Sequence, residues 1–140
     1  MIVTVLDSNI FISGFLFNGK QRSIINHAIE GHFKIFISSA IISEIENVLI
    51  RQKFKLTKNH VSLLIKEIES LCEICYPKEA IIDVCRDSKD HIILECAIES
   101  NSDYIVTGDD DLLLLGQYKN IKIINSETFL EIIENKAAFT

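Results

Sequence analysis

The sequence has a single proline, five glycines and only 8% aromatic residues. No apolar run approaches the ~20 residues that span a bilayer, so no membrane partner is expected. With 48% hydrophobic residues, this scarcity of Pro and Gly excludes collagen-like, low-complexity and disordered chains. An excess of basic charge is also missing. Fourteen Lys and Arg against twenty Asp and Glu give a net charge of −6, which rules out a globally basic nucleic-acid-binding coat. It leaves open a site where several acids are concentrated on a metal. The stretch before Asp7 lacks a basic segment, and that carboxylate ends the apolar run too early for a signal peptide. A soluble, cytoplasmic protein is therefore expected. Four cysteines, Cys72, Cys75, Cys85 and Cys96, are too few and too irregularly spaced for a disulfide framework. Cys72 and Cys75 form a C-x-x-C, but no second pair stands at zinc-site spacing, so they read as core or strand cysteines.

What is present is one alternation of short β-branched runs with longer helical ones. The 140 residues fit one domain, 1–140, large enough to hold a core without staples. Strands are expected at Ile2–Leu6, Lys34–Ser38, Glu73–Tyr76, Asp103–Thr107 and Ile121–Ile124. Helices are expected at Asn9–Phe17, Gln21–Glu30, Ala40–Lys53, Lys58–Leu71, Ser88–Ser100, Asp109–Leu115 and Glu127–Asn135, with Ser38 or Ser39 capping the third. This order predicts an α/β fold with a mainly parallel twisted sheet and helices on both faces. In such sheets ligands gather outside the carboxyl ends of the strands.

Carboxylates fall at that rim. Ile-Val-Thr-Val-Leu runs into Asp7, and Tyr-Ile-Val-Thr-Gly runs into Asp109. Each can cap the helix that follows, and capping is compatible with metal binding. Asp90 is more anomalous. At about 100° per residue it falls in the middle of the apolar stripe of Ile93, Leu94, Ala97 and Ile98. A charge there is costly unless something of opposite sign meets it. Asp87 precedes it by about one turn on the same side. Glu44 and Glu46 flank the apolar arc of their helix at similar angles, so helical geometry does not choose between them. If Asp7, Asp90, Asp109 and one Glu converge, each pair at 4 Å repels by about 4 kcal/mol at an effective dielectric of 20. All-oxygen donors select a hard divalent cation, Mg²⁺, Mn²⁺ or Ca²⁺, and the chemistry that suits such a site is phosphoester hydrolysis by metal-activated water. The four histidines, His27, His32, His60 and His91, form no ligand motif by spacing.

At these residues the chain resembles the PIN-domain family of metal-dependent ribonucleases, and within it the toxins of toxin–antitoxin systems related to VapC. The similarity runs through Val-Leu-Asp7-Ser-Asn-Ile-Phe, Ser-Glu44-Ile-Glu-Asn-Val-Leu, Arg-Asp87-Ser-Lys-Asp90-His and Val-Thr107-Gly-Asp109-Asp-Asp111. The resemblance implies a three-layer α/β/α fold and Mg²⁺ or Mn²⁺ held by Asp7, Glu44, Asp90 and Asp109. It thereby selects Glu44 over Glu46. It also implies that Ser8, Asn9, Asp87, Thr107 and Asp111 support those ligands. RNA would be cleaved to 3′-hydroxyl and 5′-phosphate ends. The partners implied are RNA, a small antitoxin protein and, in many members, a second copy of the chain. Ser88 stands where the family often has Pro, and Asp110 where a basic or neutral residue is common; neither is an expected ligand.

Lys20, Arg22, Arg51, Lys53, Lys55 and Lys58 are candidates to pin RNA phosphates. Two rival classes fit less well. A haloacid-dehalogenase-like phosphatase needs a second acid where Asn9 stands, and a receiver-like signalling domain needs an Asp closing the Lys34–Ser38 strand. A PIN fold that binds RNA or protein without cleaving remains the alternative.

Overall fold

A computed structural model describes residues 1–51, 55–82 and 84–138. Its strands are β1 (Val3–Leu6), β2 (Lys34–Ile37), β3 (Glu73–Ile74), β4 (Tyr104–Val106), β5 (Gln117–Tyr118) and β6 (Ile121–Ile124). Its helices are α1 (Ser8–Leu16), α2 (Lys20–Ile29), α3 (Ser39–Ile50), α4 (Lys58–Leu71), α5 (Lys89–Glu99), α6 (Asp110–Leu115) and α7 (Ser126–Ala138). The strands form one sheet in the order β3-β2-β1-β4-β6-β5, parallel except for the β5–β6 pair.

Chain order reverses at β1, which has β2 on one side and β4 on the other. Right-handed crossovers then carry the connections through α1–α4 over one face and the connection through α5 over the other, giving the expected three-layer α/β/α arrangement. Indeed α5 packs on β1, β2 and β4, while α1, α2 and α7 pack together. Phe129 of α7 is fully buried, with its ring edge-on to Phe33 at 4.9 Å between centroids. Cys75 and Cys96 are buried neighbours in this core, their Sγ atoms 3.1 Å apart.

The ends of the helices follow local chemistry. Ser38 caps α3 by accepting the Ile41 N–H at 3.3 Å, and Thr57 caps α4 through the His60 N–H at 3.1 Å. The helix after β2 stops at Ile50, short of the expected Lys53, which lies outside the described residues. The two-residue β5 was not anticipated; Gln-Tyr is too short for any periodicity. Helix α2 closes on Gly31 at φ +81°, where the Gly31 N–H donates to the Ala28 carbonyl and the His32 N–H to the His27 carbonyl, both at 3.0 Å. This is a Schellman closure. It brings the His27 and His32 rings side by side, and so corrects the reading that the histidines form no group.

Gly14 sets the distance between α1 and α2. A Cβ at this position would lie 2.6 Å from Ile25 Cγ1 and 3.0 Å from the Gln21 carbonyl oxygen. Ile25 is fully buried and the carbonyl is backbone, so neither yields easily. Gly14→Ala is expected to destabilise the protein by about 1–3 kcal/mol, because the overpacking outweighs the gain in helix propensity. Urea unfolding of the two proteins measures the difference, and an equal or more stable variant would contradict this packing.

Candidate metal centre

Sheet register delivers the first part of the site. Leu6 of β1 pairs with Val106 of β4, so Asp7 and Thr107 leave the sheet side by side at the point where chain order reverses. The Asp7 N–H continues the ladder to the Val106 carbonyl at 2.9 Å, and the Thr107 N–H to Ile124 at 3.0 Å. The Thr107 hydroxyl donates to Asp7 Oδ2 at 2.6 Å and accepts the Asp109 N–H at 3.0 Å. One buried threonine thus ties the two strand-end carboxylates together. Asp109 does cap its helix, through Oδ1 and the Leu112 N–H at 3.0 Å. Asp7 occupies the same position before α1, but its side chain makes no capping hydrogen bond.

Asp90 enters from α5. The helix buries Ile93, Leu94 and Ala97 against the sheet, and Asp90, one turn earlier on the same stripe, is only 7% exposed. Among the described residues its Oδ2 is buried with no hydrogen-bond partner. Asp90, Asp109 and Asp111 each offer a carboxylate oxygen, and these three lie within 4.8 Å of one another. Burial, and then the charges of Asp109, Asp7, Asp87 and Asp111, push the Asp90 carboxyl up to about 6. Asp7 is also raised, chiefly by burial and in small part by Asp109, with the Thr107 hydroxyl pulling the other way.

The remaining expected residues are placed as follows. Asp111 stands within the cluster itself, and Arg86 Nη2 meets its two oxygens at 2.9 and 3.2 Å. Asp87 is exposed at the start of α5, where Oδ1 accepts the Lys89 N–H at 3.0 Å. Ser8 is buried in the first turn of α1. Glu44 is half-buried and Glu46 exposed, a difference the helical wheel could not supply. Glu44 stands outside the three-acid cluster; it lines a groove of about 430 Å³ with Asn9, Ser13, Phe17, Arg51 and Lys89.

Of the candidate phosphate contacts among the described residues, only Arg51 lines this groove. Lys20 pairs with Glu127 at 3.1 Å, and Arg22 donates to the Gly14 carbonyl at 3.4 Å, so both face other partners. Lys55 is exposed, with a left-handed φ of +51°. Lys53 lies outside the described residues. Lys89 and Arg86 were missed. Both lie within the Arg-Asp-Ser-Lys-Asp motif, whose acids drew the attention. His91 is occupied, its Nε2 accepting the Cys85 N–H at 3.0 Å.

The donor set suits a hard divalent cation, being carboxylate throughout and drawing on Asp90, one of whose oxygens is buried without a partner among the described residues. The PIN domain family matches residues 3–111. Over 129 residues the chain is 30% identical to the uncharacterized protein MJ1680 of Methanocaldococcus jannaschii, covering 89% of this chain and 82% of that one. The chain belongs to the PIN-domain family. PIN domains are generally nucleases. Two solved structures share the fold. VapBC2 from Rickettsia felis, bound to a DNA fragment from their promoter, superposes with a TM-score of 0.63 at 17% identity, over 89% of this chain and 98% of that one. The PIN domain of T. brucei RRP44 does so with a TM-score of 0.53 at 10% identity, over 98% and 83%.

The raised Asp90 carboxyl makes metal-free stability depend on pH. A folded-state value of about 6 against an ordinary 3.8 means the folded protein holds this proton more tightly. The resulting stabilisation is complete below about pH 4 and is lost as pH rises through about 6. In EDTA, Asp90→Asn is therefore expected to gain on the unsubstituted protein by about 1 kcal/mol between about pH 5 and pH 7.5. Urea unfolding at the two pH values measures it; a difference that stays constant would contradict the carboxylate crowding.

Proposed function

We propose that this chain is a metal-dependent endoribonuclease, the toxin of a toxin–antitoxin pair, acting through Asp7, Glu44, Asp90 and Asp109. The observation that carries this reading is Asp90, which buries one oxygen without a partner among the described residues and brings a carboxylate oxygen within 4.8 Å of oxygens of Asp109 and Asp111. A folded chain tolerates such crowding when a cation is the intended occupant. Membership of a family of nucleases supports phosphodiester hydrolysis, and the likeness in fold to VapBC2 supports a small antitoxin as partner. A second copy of the chain is the other protein partner this reading carries, and 1–140 acts as one domain.

Mg²⁺ or Mn²⁺, when bound by these carboxylates, supplies a polarised water at neutral pH and offsets the charge of the phosphate. The chain's own residues do the rest. Thr107 fixes the Asp7 rotamer through its hydroxyl and holds the Asp109 backbone through its oxygen, so the two carboxylates keep one spacing. Asp109 commits Oδ1 to its helix, so Oδ2 is the oxygen that would serve the metal. Arg86 draws charge from Asp111. Arg51 and Lys89 line the groove beside Glu44 and can hold phosphates on either side of the cleaved bond, with Asn9 and Ser13 offering hydrogen bonds. No Ser, Cys or His nucleophile is needed.

Labelled single-stranded RNA incubated with the purified protein and Mn²⁺ or Mg²⁺ tests this. Cleavage is expected, should stop in EDTA, and should fall at least 100-fold in Asp7→Asn and in Asp90→Asn. No cleavage of any RNA, with no rise in melting temperature on adding Mn²⁺, would leave a binding module on the same fold. As a positioning residue, Thr107 gives a graded outcome. Thr107→Val should lower kcat by about tenfold or more, while Thr107→Ser, which keeps the hydroxyl, should restore most of it. Equal rates for Val and Ser would remove the role assigned to that hydroxyl.

A further inference from the structure

At the opposite end of the strands from the carboxylates, the C-terminus of α2 turns into β2 through His27-Ala-Ile-Glu30-Gly-His32. The Schellman closure sets His27 and His32 against each other, at the two positions where that motif commonly seats an apolar pair. Here the pair is two imidazoles. Their Nδ1 atoms face each other at 2.8 Å, with ring centroids 5.0 Å apart. The other nitrogen of each ring lies against a carboxylate: His27 Nε2 is 3.8 Å from Glu134 of α7, and His32 Nε2 is 3.6 Å from Glu30. His27, Glu30 and His32 can each present one ligand atom with all three inside 4.8 Å.

We propose that His27 and His32 form a binding site for a late first-row divalent metal ion, Ni²⁺, Cu²⁺ or Zn²⁺, with Glu30 as a third donor. Three features favour this over an isolated imidazole–imidazole hydrogen bond. The Nδ1 atoms converge while the far nitrogen of His27 lies against Glu134, a carboxylate that can orient a liganding imidazole and make it more basic, and Glu30 serves as donor in place of its contact with His32. Nitrogen donors select these ions over Mg²⁺ and Mn²⁺, so the site is chemically distinct from the all-carboxylate rim. The spacing also fits. Two donors 2.8 Å apart and each about 2.0 Å from an ion subtend about 90°, the cis angle of tetragonal Ni²⁺ or Cu²⁺, and a modest opening of the pair reaches the tetrahedral angle of Zn²⁺. The backbone that sets the pair is fixed by two hydrogen bonds and a glycine in the left-handed region, so the donors are held before the ion arrives. Because Glu134 reaches His27 from α7, the bound ion would fasten the C-terminal helix to the α2–β2 turn.

Calorimetric titration of NiSO₄ and of ZnSO₄ into the full chain, in excess Mg²⁺ to occupy the carboxylate rim, tests the proposal. One ion per chain is expected at micromolar affinity, weakened at least tenfold in His27→Gln and in His32→Gln. The same titration followed by NMR needs no variant. Ni²⁺ should broaden the ring signals of His27 and His32 before those of His60 and His91. No binding in Mg²⁺, unchanged affinity in both variants, or broadening that starts at His60 or His91 would overturn the site. Neither measurement depends on RNA cleavage, so the two readings stand or fall separately.

Discussion

Moving the Asp90 carboxylate out of water, to within reach of Asp109 and Asp111, raises its free energy twice. It loses hydration on one oxygen that no donor among the described residues replaces, and it gains the repulsion of neighbouring charges. An unsatisfied buried polar group costs about 1–3 kcal/mol, and each like-charged neighbour at about 4 Å adds a similar or larger amount. Much of the rim is arranged around this conflict. Thr107 spends both its hydrogen-bonding directions on fixing Asp7 and Asp109, and Arg86 meets Asp111 from outside. The sheet makes the conflict possible, because the β1–β4 register places two strand-end residues at the same level and α5 carries the third acid across them. The parallel architecture and the carboxylate site are therefore one design problem.

The fold was legible where a physical rule acts over several residues. Val3–Leu6 is a largely buried, β-branched run, Ile121–Ile124 sets buried Ile121 and Ile123 on either side of exposed Lys122, and Ser38 is a cap that the structure uses as expected. The boundaries that shifted did so for local reasons. Phase alone cannot stop a helix: α3 ends at Ile50 with Arg51 extended, although the residues after it continue a helical composition. Strand β5 follows Gly116, which ends α6 at φ +73°, and pairs with β6 across the Lys119–Asn120 turn, where Lys119 is at φ +53°. Two residues carry no period, so the signal was the turn and not the strand.

The site was legible unevenly. Asp90 declared itself, since a carboxylate on an apolar stripe conflicts with the burial that the stripe predicts, and the structure buries it. Asp7 and Asp109 were visible as strand-end residues, but Thr107 entered only through resemblance, because the hydrogen bond from its hydroxyl to Asp7 depends on β1–β4 register across 100 positions. Glu44 and Glu46 are symmetrical on the wheel; the neighbouring helix α1 breaks the symmetry by forming the other wall of the groove. Lys20 and Arg22 showed the reverse problem. Charge in sequence does not reveal whether a partner already holds it, and both are engaged elsewhere. His27 and His32 lie five apart, off any helical spacing, and meet only because the helix ends between them.

A chain of charge −6 that is to accept a polyanion has to separate its charges in space. On the proposed reading a divalent ion would offset the acids of the rim at short range. Arg51 and Lys89 stand on the groove wall, and Arg86 is exposed beside Asp111. The Debye length at physiological salt is about 8 Å, so an approaching phosphate responds to these nearby cations far more than to acids on remote faces. Net charge is therefore a poor guide to the partner, and the arrangement within one screening length of the groove is the better one. The same reasoning gives the cations a role distinct from that of the carboxylates. On the proposed reading they would contribute to capture and to the placement of the nucleic-acid backbone, which salt weakens, whereas the carboxylates would act at contact distance, where screening is slight.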